Sequence, residues 1–162
     1  MSGRWAAEHD RSMRNSRERA PAAVRAAFGS WLVAVGAGVF ETCSVVAREG
    51  LTGDVVGGAA VRTAVFVVAV AVAWQMRAGR RWARLTLAVG LGVVGLASLV
   101  ADPIAWLAAG NAVPRLIADS GAADLAFGVS RGVHIVAVLI GVTLMFTPSA
   151  NAWFRVPVPA RA

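Results

Sequence analysis

Leu85–Ala101, LTLAVGLGVVGLASLVA, is a run of seventeen residues without a single charge. A helix through the hydrocarbon core of a bilayer, about 30 Å thick, needs about 20 mostly apolar residues. Arg84 stands just before this run and Asp102 just after it. Three more stretches of the same kind surround it: about 26–47, 57–76 and 125–147. None of the four carries a clean polar stripe at helical spacing. Helices apolar on nearly every side belong in lipid or in a very large core, and 162 residues cannot build such a core. Strands are disfavoured, because alternation of polar and apolar residues is absent and barrel strands run to only about 10 residues.

The whole composition agrees. Hydrophobic residues make up 57% of the chain and mean hydropathy is +0.64. Charged residues are 15%, against roughly 25% in an average soluble domain. The expectation is an all-α bundle of four transmembrane helices over 21–154, with a disordered basic tail at 1–20 and an irregular end at 155–162.

Charge sets the expected orientation. The chain has sixteen Arg, no Lys and nine acids, a net +7. Arg4, Arg11, Arg14, Arg17, Arg19 and Arg25 precede the first span. Arg77, Arg80, Arg81 and Arg84 lie between the second and third, and Arg155 and Arg161 follow the fourth. The opposite side has Arg48, Arg62, Arg115 and Arg131. Basic loops stay cytoplasmic, so both termini are expected inside the cell membrane. Trp31, Trp74, Trp82 and Trp153 all fall near that inner interface, as an aromatic belt would. A cleaved signal peptide is not expected, since basic stretch and apolar run are too long and three more spans follow. Arg77, Arg80, Arg81 and Arg84 also suit anionic lipid headgroups, each worth about 1 kcal/mol near the surface. Nucleic acid is not expected as a partner, because the basic tail offers no folded reading element.

Four charged or titratable residues sit inside the spans: Glu41, Arg62, Arg131 and His134. At about 1.5 Å per residue, Glu41, Arg62 and Arg131 lie about 7–9 Å in from the outer ends, and His134 about 13 Å. A charge near mid-bilayer costs about 2.5–3.5 kcal/mol on insertion scales, so matching depths point to mutual compensation. The expectation is an outer-leaflet cluster with Glu41 paired to Arg62 or Arg131 and His134 one turn deeper. Such a cluster either fixes helix register or forms a proton or solute site. A continuous polar cavity from the outer face to Glu41 would favour transport, and a closed ion pair a structural role.

Other chemistry is thin. One cysteine, Cys43, excludes an internal disulfide. Glu41, Cys43 and His134 make a poor metal set, and haem would want a second intramembrane histidine. Gly90-x-Gly92-x-x-Gly95 matches the dinucleotide pattern but lies inside a span with no strand before it, so it reads as packing. No catalytic set and no cofactor are expected. Small residues at Ala34/Gly38, Ala88/Gly92, Gly128/Gly132 and Ala137/Gly141 have the spacing that lets membrane helices approach closely. The outer segment Asp102–Asp124 is expected as a connection with one or two short interfacial helices.

Two stretches are more specific. Met76-Arg77-Ala78-Gly79-Arg80-Arg81-Trp82-Ala83-Arg84 joins spans two and three, and Thr147-Pro148-Ser149-Ala150-Asn151-Ala152-Trp153-Phe154 follows span four. Both resemble the loops of small, uncharacterised four-span membrane proteins of high-G+C Gram-positive bacteria. The resemblance implies the four-span layout and no activity, and Arg131 and His134 make span four more polar than that layout leads one to expect. In physical terms Pro148 would stop span four and Asn151 cap its carbonyls. Trp82, Trp153 and Phe154 would anchor in the headgroups. The leading expectation is a membrane protein acting through helix packing or partner binding, including a membrane-protein partner or a second copy. The alternative is a small transporter or channel-like subunit using the polar cluster.

Overall fold

A computed structural model describes residues 20–111, 113 and 120–155. The basic tail over 1–19, much of the segment after 111 and the end beyond 155 lie outside the described residues.

The fold is all-α. Four helices are long and apolar enough to cross a membrane: α1 (Ala22–Glu49), α2 (Gly53–Arg77), α3 (Arg81–Ala108) and α4 (Ala122–Met145). A short α5 (Pro148–Arg155) follows. Pro21 precedes α1, where its missing N–H costs nothing. Gly50 stops that helix at φ 76°, and the Thr52 hydroxyl accepts from Val55 N to start the next. Gly79, at φ 85°, makes the reversal between α2 and α3, a conformation that a side chain at that position would oppose. Short connections at both reversals make these helices antiparallel neighbours.

The spans form a ring, α1 beside α2 and α4, and α3 closing the circuit between α2 and α4. The most extensive contact is α1 on α4. Small residues make it possible. Gly141 meets the indole of Trp31, Gly38 meets Phe66 and His134, and on α3 Gly92 meets Val142. Outward-facing Val33, Val61, Val67, Val93, Val94 and Val129 are at least half exposed. So much apolar surface is tolerable in lipid and not in water.

Packing is uneven along the bundle. The largest fully buried side chains, Trp31, Met76, Leu87, Met145 and Val24, all belong to the half near the basic 78–80 loop. There α5 adds Ala150 and Phe154 to the core. In the other half, α3 has no buried residue from Leu96 to Ala108.

Several expectations change. The third span does not end at Ala101. It continues through Asp102 and Pro103 to Ala108, so the first part of the expected outer connection is membrane helix. Its middle, Leu87–Gly95, is π-helical, a widened form frequent at functional sites. Trp31 is 2% exposed and belongs to the core, not to an interfacial belt. Pro148 opens α5 rather than merely stopping α4, again at a first-turn position. Phe154 is equally buried, whereas Trp82 is half exposed, so only the latter has the exposure of an anchor. Asn151 does cap, its amide donating to Phe146 O at 3.0 Å.

Candidate functional site

Between the four spans, in the loosely packed half, lies a cavity of about 330 Å³. Its floor, toward the basic loop, is apolar: Trp31, Ala69, Leu91 and Val138. Further along each helix the lining turns polar, with Glu41 and Thr42 from α1, Arg62 from α2, Ser98 and Asp102 from α3, and Arg131 and His134 from α4. All four intramembrane residues expected to cluster therefore share one cavity, and Asp102 joins them.

Their pairing differs from expectation. Glu41, only 7% exposed, is not paired with either arginine; His134 Nδ1 lies 3.2 Å from its Oε1. The contact spans the α1–α4 seam, where Gly38 leaves room for the imidazole. A hydrogen bond from Ser130 to Ala37 O, 3.3 Å long, lies on the same seam.

Arg131 is held by a carbonyl. Its Nε and Nη2 both donate to Leu99 O, at 3.2 and 2.8 Å. Pro103 explains why that oxygen is free. In an α-helix Leu99 O would accept from the N–H four residues on, and proline has none. The proline thus creates an unsatisfied acceptor inside the membrane, and a guanidinium from the neighbouring span fills it. The side chains of Arg62 and Asp102 line the cavity and make no hydrogen bond or ion pair to any described residue.

A second cleft of about 370 Å³ lies between α1 and α2 toward the 50–52 loop, lined by Glu49, Asp54, Gly58 and others. It shares Thr42 and Arg62 with the central cavity. The cleft also has Val45, Val46, Val55 and Ala59 in its wall, and Glu41 lines only the central cavity. At the same end Arg48 bonds Asp124 at 2.6 Å and lies over the Phe127 ring, pinning α1 to α4.

The basic end is occupied by structure. Arg81 donates from Nε to Phe154 O and from Nη2 to Arg155 O (2.8 Å), capping the last carbonyls of α5. Arg84 packs over the Phe146 and Phe154 rings, at 4.1 and 5.1 Å. Arg77 lies over Phe28 and Trp74. Of the four basic residues read as a lipid-facing set, Arg80 alone is exposed without such a contact among the described residues.

Sequence reasoning missed Asp102, Ser98 and the Arg48–Asp124 pair. Asp102 was legible as a charge, but it falls just beyond the apolar run, in the stretch expected as the outer connection. Among the described residues no group of three or more His, Cys, Asp and Glu could hold a metal. Cys43 is exposed and does not line the cavity.

Fold and site together describe a multi-pass α-helical membrane protein whose spans enclose a charged cavity. No family model, curated protein or solved structure matches the chain.

Proposed function

We propose that this protein is a small transporter or channel-like subunit that admits a polar solute into its intramembrane cavity. The observation that carries the reading is the cavity itself, about 330 Å³, which shares Thr42 and Arg62 with the cleft toward the 50–52 loop. Small-molecule sites begin at about 300 Å³ and combine apolar walls with a few placed polar groups. Neither a structural ion pair nor a helix-register device needs such a space. By the distribution of arginines the mouth faces outward from the cell membrane and the basic end faces the cytoplasm, where exposed Arg80 and Arg77 suit anionic headgroups. No enzymatic step is part of the reading.

A second reading, action through helix packing with a partner or a second copy, has one supporting feature. Gly128 and Gly132 meet nothing within 4 Å inside the bundle, and Gly132 lines a shallow apolar groove with Val33, Val129 and Val136.

Thiol accessibility separates the two. With Cys43 replaced by Ala, a Ser98→Cys protein in intact vesicles should react with a membrane-impermeant methanethiosulfonate nearly as fully as Leu51→Cys. A Ser98→Cys protein that stays unlabelled while Leu51→Cys reacts would defeat the solute reading.

A further inference from the structure

The cavity wall carries four formal charges, and two are committed. Glu41 is engaged by His134, and Arg131 by the Leu99 carbonyl. Arg62 on α2 and Asp102 on α3 have no partner among the described residues. They are opposite in sign, stand on neighbouring spans, are both exposed, and border one open cavity. A charge within a membrane protein is costly unless it meets a complementary group. A singly charged solute would complement one of the two and leave the other, which has the solute's own sign, unmatched. A solute with both signs satisfies both.

We infer that the cavity binds a small zwitterion carrying a carboxylate and an ammonium group, Arg62 taking the carboxylate and Asp102 the ammonium. Guanidinium suits the acid end because its paired N–H groups match the two carboxylate oxygens. The floor of Trp31, Leu91 and Val138 receives an apolar substituent. At about 330 Å³ the space holds one small molecule rather than a peptide. Apolar α-amino acids are the chemical class that meets all three conditions. This inference rests on the solute reading above.

The test is thermal unfolding of the whole protein in detergent, followed by tryptophan fluorescence, with each apolar amino acid as probe. L-leucine is compared with 4-methylpentanoate and isopentylamine, which keep its shape and one charge each. A ligand of the native state raises Tm in proportion to its affinity and concentration. At least one amino acid should raise Tm, with the matched acid and amine at least tenfold weaker. Arg62→Gln should weaken the amino acid at least tenfold and leave the amine unchanged. Asp102→Asn should do the converse, sparing the acid. Should Arg62→Gln not fold, Arg62→Lys keeps the charge but loses the paired N–H groups, and a several-fold loss is expected.

An acid or amine that binds as well as its amino acid overturns the zwitterion and leaves the solute site standing. No shift with any amino acid, while Ser98→Cys is labelled, also overturns the zwitterion alone. No shift together with an unlabelled Ser98→Cys removes both.

Discussion

Pro103 and Arg131 each break a rule of membrane helices, and each is the other's remedy. The proline deprives Leu99 O of its donor, and the arginine supplies two N–H groups there. Replacing Arg131 by Met leaves a carbonyl bare, which should cost about 1–3 kcal/mol in reversible unfolding in mixed micelles. In a Pro103→Ala background the N–H of residue 103 returns to that carbonyl, and the same replacement should cost measurably less. Strict additivity of the two changes would show that the bond contributes nothing. The sequence displayed both residues but not their relation. Charge complementarity points Glu41 to Arg62 or Arg131, whereas a freed carbonyl oxygen also accepts from a guanidinium. Glu41 in turn found the imidazole across the α1–α4 seam. That pairing depends on how α1 and α4 are rotated against each other, which depth along an axis cannot reveal.

At the scale of the helix, the same small-residue spacing is used in some places and idle in others. A Cβ at Gly38 would lie 2.8 Å from the Phe66 ring and 3.3 Å from His134, whereas one at Gly132 meets nothing within 4 Å. Gly38→Ala should therefore destabilise by about 1–3 kcal/mol through overpacking. Gly132→Ala should be neutral or slightly stabilising, since alanine is the better helix former by about 1 kcal/mol. Thermal stability of the two variants in one detergent checks both, and equal effects would contradict this packing. The spans themselves were legible because a bilayer demands long apolar runs and the chain has four. Ala34/Gly38 and Ala88/Gly92 were legible as motifs, and Gly38 and Gly92 do sit in helix contacts. Gly128/Gly132 has the same pattern and lies uncovered, because in an Ala- and Gly-rich chain the spacing arises cheaply. The extent of α3 was not legible. Asp102-Pro103 reads as a loop when the helix is taken alone, and it persists because Arg131 compensates from a separate element.

The whole molecule is plugged at one end and slack at the other. The plug is built from Met76, Leu87, Met145 and the α5 residues Ala150 and Phe154, fastened by Arg81. In the proposed topology, drawn from the distribution of arginines, that end faces the cytoplasm. In right-side-out cells a bulky impermeant maleimide should therefore label Leu51→Cys directly and Ala78→Cys after permeabilisation, both with Cys43→Ala. The reverse pattern would invert the topology and turn the cavity toward the cytoplasm. Finally, the π-helical stretch Leu87–Gly95 fixes how the far half of α3 is turned about its axis. Each residue after Gly95 inherits the angular offset of that widened segment. Were it to tighten into ordinary α-helix, Asp102 would swing around the axis and leave the lumen, taking the Leu99 oxygen away from its guanidinium. A small change of hydrogen-bond register near the centre of the membrane is thus geared to the position of a negative charge at the mouth.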